Sequence, residues 1–379
     1  MVRPRLRPLL RVRVGRLGLR VRRAGVGRGS RGAGPVSAGP RIVELTGEDP
    51  EAIRTWAAVT EASLRHEVGD SATAWAFEEL LAVVRNPSSK RDERFLAAYD
   101  GERLVGTAWL AMPLLDNLDS AMLDVHVDPA LRRRRIGSAL LARAESIAVD
   151  AGRTLVDAEA QFAHDAPADG AGTSGREFLV AHGYTFGIGN VQRSAPLPMP
   201  DDVLDALAAE AAPHHEDYRL RSWAGPVPDE LVEGWLAVAS TLSTEAPTGD
   251  MQREAETVDV AAHRDDEALV AAQGRTSWRT VALTAAGEVV AYTEIVVPDH
   301  DPRFVYQWGT LVRDDHRGHR LGVAVKVANH RSLQAGADVG GRRVVTWNAE
   351  ENGPMIAINE RMGFVPTARM AEMQKRLAR

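Results

Sequence analysis

Six residues offer the plainest chemistry in this chain: Arg317-Gly318-His319-Arg320-Leu321-Gly322, lying between an apolar strand-like run and a helix-like pattern. A helix N-terminus carries backbone N–H groups without intrahelical partners, and the macrodipole makes that end positive. Glycine lets a ligand oxygen approach the backbone, so such a cationic loop suits a pyrophosphate. An ordinary glycine-containing turn with solvated arginines would use the same residues. Other groups could move protons. Glu294, with Tyr292 two residues before it, interrupts an apolar strand, where a solvent-facing glutamate is the alternative. Asp124 and His126 share one face of another strand, as a proton relay or as a structural polar pair. His214, His215, Glu216 and Asp217 adjoin one another, but nothing else in the sequence points to a metal, and none is expected.

These groups sit in a chain of 379 residues, 44% apolar and 26% charged, long enough for two domains with separate cores. The absence of cysteine excludes disulfides, thiolate metal sites and a cysteine nucleophile. No apolar run reaches the roughly 18 residues that span a bilayer, so no membrane partner is expected. The net charge of −6 is unevenly spread: residues 1–40 hold eleven arginines and no acid, leaving −17 on the remainder. An acidic body argues against nucleic acid as a partner and favours a cationic, amine-bearing substrate. The Arg/Gly-rich residues 1–40 read as a disordered extension. A basic tail, a presequence and translation from a misassigned start share that composition.

The rest is a duplication. Gly101-Glu102-Arg103-Leu104-Val105-Gly106-Thr107 returns as Gly287-Glu288-Val289-Val290-Ala291-Tyr292-Thr293, and Val127 through Gly137 returns as Val312 through Gly322. The two pairs keep offsets of 186 and 185 residues, so one unit occurs twice. In the first copy, strands are expected at 41–45, 94–99, 104–112, 121–127 and 154–162, with helices at 49–67, 72–86, 136–150 and 176–182. In the second, helices fall near 229–243, 255–273, 321–335 and 353–362, with strands at 277–284, 289–297, 303–312 and 342–348 and a last one after Gly363. The order of antiparallel strands followed by a parallel β-α-β unit implies a mixed-sheet α/β (α+β) fold. The expected divisions are 41–198, a linker at 199–216 with a short helix at 202–211, and 217–379.

The loop resembles the acyl-CoA pyrophosphate loop of the GNAT (Gcn5-related N-acetyltransferase) superfamily, Q/R-x-x-G-x-G/A after a strand ending in valine. Arg317 and Gly322 match its ends, as do Arg132 and Gly137 in the first copy, while Arg320 and Arg135 replace its middle glycine. Asn352 through Phe364 is similar to the family's closing helix, of which the first copy keeps only Phe178 to Tyr184. The resemblance covers residues 41–379 in two copies.

It implies two tandem GNAT-like domains that bind acetyl-CoA as co-substrate. Backbone around Leu311 and Val312 would pair with pantetheine. Arg317, Gly318, His319, Arg320, Leu321 and Gly322 would hold the pyrophosphate, with Asn352 beside them. Val127, Arg132, Arg135 and Gly137 are the first-copy counterparts. The family's tyrosine acid is replaced by Asn359 and Leu179, so the acid is missing from both copies. Tyr306 lies where some members place a catalytic glutamate; with Glu294 it completes the catalytic candidates, while Glu350 and Glu351 suit a helix N-terminus. The expectation is a cytoplasmic, monomeric or homodimeric acetyltransferase acting on a primary amine of a small molecule or peptide, with the C-terminal copy active. A mycothiol-synthase-like enzyme and a non-catalytic acyl-CoA-binding protein are the alternatives.

Overall fold

Alternation of apolar and polar residues makes the strands, and capped amphipathic stretches make the helices that cover them. In the computed structural model, residues 39–378 are described; the expected basic extension falls almost wholly outside them. The N-terminal half runs β1 (Arg41–Glu44), α1 (Pro50–Val68), α2 (Phe77–Arg85), β2 (Arg91–Asp100), β3 (Arg103–Pro113), β4 (Ser120–Val127), α3 (Ile136–Asp150), β5 (Leu155–Ala163), α4 (Ser174–Ala181) and β6 (Thr185–Pro196). After α5 (Asp201–Ala211) come β7 (Arg219–Ala224), α6 (Val232–Ala239), α7 (Leu242–Glu245), α8 (Val260–Ala272), β8 (Arg275–Leu283), β9 (Val289–Pro298) and β10 (Phe304–Val312). The chain closes with α9 (Leu321–Gly336), β11 (Arg343–Ala349), α10 (Gly353–Arg361) and β12 (Val365–Arg376).

Local chemistry sets several of these limits. Asp49 caps α1 by accepting from the Ala52 N–H at 3.1 Å, with Pro50 in the first turn. The helix expected from residue 72 starts only at Phe77, because the Glu79 side chain takes the Ala76 N–H at 2.8 Å and fixes the entry there. The helix expected from 255 starts at Val260, capped by Asp259, and the residues before it run across the N-terminal half instead. β6 has little apolar alternation in TFGIGNVQRSAP, so its sequence does not announce a strand.

Among the described residues twelve strands form one sheet, ordered β1-β2-β3-β4-β5-β12-β6-β11-β10-β9-β8-β7. Only β4–β5 and β10–β11 are parallel. The order shows an exchange: β12 lies against β5, and β6 lies against β11, so the last strand of each half sits in the other half's sheet. Separate cores nevertheless persist. Leu140, Leu141 and Ala144 of α3 pack on the first half of the sheet, and Val323, Ala324 and Val327 of α9 pack on the second. A salt bridge between Arg275 and Glu79, 2.7 Å long with both side chains 3% exposed, joins α2 to β8 across the halves.

Candidate active site

Each parallel pair is bonded over only part of its length. The β4–β5 ladder stops at Leu123–Ala158 and the β10–β11 ladder at Tyr306–Val345, although every strand continues. Beyond those points the strand edges face each other without ladder partners, and a wedge opens in each half. In the N-terminal half the wedge is part of a cleft of ≈ 360 Å³. Its floor includes Val125, His126 and Val127 from β4 with Glu159, Ala160 and Gln161 from β5. The 132–137 loop and Phe178 of α4 complete it.

The two loops are built alike. Arg135 and Arg320 both take left-handed φ (63° and 51°), and so do Arg133 and Gly318 (63° and 89°). Arginine therefore stands where the family's middle glycine belongs because the backbone still makes the turn, at about 1–2 kcal/mol of steric cost for a side chain there. Gly137 and Gly322 have a packing role. An added Cβ would lie 3.4 Å from the Phe178 ring and 3.4 Å from Ile358 respectively, so each lets its helix approach the next one closely. Arg132 pairs with Glu67 of α1, and its Nε points to the Val127 carbonyl. Arg317 repeats this with Glu245 of α7 at 3.0 Å and the Val312 carbonyl. Both arginines thus pin their loops to the strand end and a helix.

The loops differ in what remains for a ligand. Arg133, Arg134 and Arg135 are exposed beside the cleft, and among the described residues no carboxylate pairs with them. Arg320 is instead held by Glu210 of α5, which also pairs with Arg361. His319 Nδ1 lies 3.2 Å from the His214 carbonyl, and Leu321 is buried in the core. Asn352 caps α10, accepting from the Met355 N–H at 3.3 Å. The first α9 turn is therefore committed to α5, and the α3 turn is open.

The faces opposite the helices differ more. Asp124 and Glu159 are the first residues past the end of the β4–β5 ladder, one on each strand. Glu159 has no hydrogen-bond or ion-pair partner among the described residues. Its side chain is exposed on the cleft side of β5, and partial desolvation by the strands around it, reinforced by Asp124 and Glu372, raises its pKa above the usual carboxylate range. Burial also raises Asp124, opposed by His126, and burial lowers His126, opposed by Asp124. His126 Nδ1 lies 3.3 Å from the Ser63 hydroxyl. In the C-terminal half the 185-residue offset places Gly309 and Leu311 at the Asp124 and His126 positions. Aligning β11 with β5 at their first ladder residues, Arg343 and Leu155, puts Trp347 at the Glu159 position. Gly309 packs against the Tyr292 hydroxyl, and Leu311 is in an apolar cluster with Trp235 and Tyr292. The Asn359 amide reaches Asn348 at 2.7 Å, tying α10 to β11.

The other catalytic candidates are occupied or remote. Glu294 accepts from Arg279 at 2.8 Å in a buried network that includes Glu267, beneath α8. Tyr306 sits on the last bonded pair of its ladder, and burial raises its hydroxyl pKa. Glu350 pairs with Arg369, and Leu179 is buried in the N-terminal core. Glu159 was missed in the sequence because it is an exposed acidic residue on a strand, and only the end of the folded ladder places it at the wedge. Its even-numbered neighbours Ala158 and Ala160 are buried, which marks the face but not the wedge. Among the described residues no group of three His, Asp or Glu could hold a metal, and no helix is long and apolar enough to cross a membrane.

Residues 56–169, which include β4, α3, β5 and much of the cleft, match the acetyltransferase (GNAT) family. A tandem GNAT protein from the clavulanic acid biosynthesis pathway, solved without AcCoA, is 28% identical, with a TM-score of 0.72 over 90% of this chain and 99% of that one. A GCN5-related N-acetyltransferase from Sphaerobacter thermophilus shares the fold at 15% identity and a TM-score of 0.57, over 88% of this chain and 95% of that one. No curated protein matches the chain in sequence. With two splayed parallel pairs, a loop-to-helix turn repeated in both halves and a tandem relative spanning nearly its whole length, the chain contains a GNAT-fold acetyltransferase domain at residues 56–169 and is similar over most of its length to a tandem GNAT protein.

Proposed function

We propose that the chain transfers an acetyl group from acetyl-CoA to a primary amine in the N-terminal cleft, by direct attack of the amine on the thioester. On this reading 41–198 and 217–379 are two GNAT-like domains with exchanged last strands, and the C-terminal one has given up the chemistry. The observation that carries it is the contrast between Asp124, His126 and Glu159 in one wedge and Gly309, Leu311 and Trp347 in the other. The unpartnered β4 edge past Leu123 would receive pantetheine, and Arg133 to Gly137 the pyrophosphate. The loop glycines in the sequence favour the C-terminal half; the Arg320–Glu210 pair weighs against it.

Glu159 is the group placed to take a proton from the acceptor ammonium, and its raised pKa brings it nearer the working pH of a general base. The neutral amine then attacks the carbonyl carbon, the C–S bond breaks, and the nitrogen gives up its second proton to solvent, so that an amide and CoA result. Leu179 has no proton to donate, so the proton held by Glu159 is the one available to the departing thiolate. The negative outer face of β4 and β5 suits a cationic acceptor. Release of free CoA with a panel of aminoglycosides, amino acids, polyamines and peptide N-termini tests the reading. Glu159→Gln should lower kcat/KM at least about 100-fold with acetyl-CoA affinity within threefold. Full activity in that variant would remove Glu159 from the mechanism.

A further inference from the structure

The C-terminal half meets β5 beside the N-terminal cleft at two places. β12 lies beside β5 with Glu372 directly opposite Glu159 in the antiparallel register. The segment between α7 and α8 crosses the same face. It is anchored by hydrogen bonds between Glu254 and Asn117 (2.8 Å), from the Thr257 N–H to Asp116 (2.7 Å), and from the Asp250 N–H to the Gly187 carbonyl (3.2 Å). Met251 is buried at Gly187, where a Cβ would clash with its sulfur at 2.1 Å. These contacts place Arg253 over the carboxylates. It pairs with Glu372 and lies 4.0 Å from Asp157. Glu372 also accepts from the Asn190 amide at 2.5 Å, and Asp157 from Gln374 at 2.8 Å.

The groups that face Glu159 come from every neighbouring element. β4 brings Asp124 and His126, β5 brings Asp157, β12 brings Glu372, and the crossing segment brings Arg253. Four of these six titratable groups beside and including Glu159 are carboxylates, and Arg253 supplies the fixed positive charge among them. Because a nearby like charge opposes ionisation and an opposite charge favours it, the Arg253–Glu372 pair is an electrostatic setting on Glu159. Neither residue belongs to the half that holds the cleft. Resting on the assignment of Glu159 as the base, we infer that the Arg253–Glu372 pair is a positioning device by which the C-terminal half fixes the charge state of Glu159, and so the pH at which the acceptor amine is activated.

The signs of the two single substitutions are opposite. Arg253→Met removes the cation and leaves Glu372 unpaired, so Glu159 should hold its proton to higher pH. Glu372→Gln removes a like charge, so Glu159 should release it at lower pH. The double variant removes a neutral pair and should return close to wild type, an outcome that loss of structure does not produce. The experiment is the pH profile of kcat/KM for the four full-length proteins, together with titration of the Glu159 side chain followed by carbon NMR and assigned by Glu159→Gln. Expected are shifts of the acid limb and of the Glu159 titration by at least about half a pH unit, upward and downward for the singles. If the NMR titration shifts but the rate profile does not, Glu159 is not the base, while the electrostatic setting stands. Coincident Glu159 titrations in all four proteins, or a double variant as displaced as the worse single, would overturn the inference.

Discussion

Glu159 and the three exposed arginines at the cleft mouth carry the chemistry proposed for single residues. Arg133 and Arg135 stand at left-handed positions beside the α3 N-terminus with no carboxylate partner among the described residues. Arg133→Ala and Arg135→Ala should each weaken acetyl-CoA binding by about three- to tenfold, more at low salt than at high, as expected of solvent-screened contacts to an anion. Titration calorimetry at two ionic strengths measures this, and affinities unchanged at both would mean that the phosphates bind elsewhere. Both loops were visible in the sequence, since arginine, glycine and valine recur at one offset. Their difference in availability was not, because it depends on Glu210, which comes from the linker helix α5 and contacts Arg320 only in the folded chain.

At the scale of elements, α9 carries a group that fits its helix poorly. Lys326 is 1% exposed and His330, one turn on, is fully buried with both ring nitrogens unpartnered. Desolvation pulls Lys326 down to about 7, and His330, with Lys326 adding to the effect, down to about 3. The offset places Leu141, an ordinary core leucine, at the Lys326 position in α3. A lysine whose folded pKa lies below its unfolded value binds fewer protons when folded, so the penalty is full below about 7 and fades as pH rises towards 10.5. Lys326→Leu should therefore stabilise the protein by on the order of 3 kcal/mol at pH 7. The gain should shrink between pH 7 and pH 9 in chemical denaturation. A gain independent of pH would show that Lys326 keeps its proton in the folded chain throughout this range. The helix itself was legible from its apolar spacing. The cost of its lysine was not, since Val323-Ala324-Val325-Lys326-Val327 also reads as a helix with one snorkelling side chain.

Across the whole molecule, exchange of β6 and β12 ties two similar units into one sheet. Removing β12 would leave β5 without its neighbour and take Glu372 from beside Glu159. The Arg275–Glu79 bridge adds a second tie, and breaking a buried pair by removing one partner costs roughly 3–5 kcal/mol. Thermal unfolding should thus show a single transition, and Arg275→Met should lower it without splitting it. Two separate calorimetric transitions would mean that the halves unfold on their own. The duplication predicts a mixed sheet in each half, and the ladders of β2–β3–β4 and β8–β9–β10 agree with that expectation. The exchange left no mark in the sequence, because β6 and β12 would have similar neighbours in either half.

The central claim, that the N-terminal wedge is the one that holds the acyl donor, is tested most directly by acetyl-CoA titration calorimetry on wild type, Gly137→Trp and Gly322→Trp, each first checked for a wild-type-like circular dichroism spectrum. Expected are one site per chain, binding weaker by about tenfold or more in Gly137→Trp, and near wild-type affinity in Gly322→Trp. Intact binding in Gly137→Trp with loss in Gly322→Trp would contradict it and return the site to the C-terminal half.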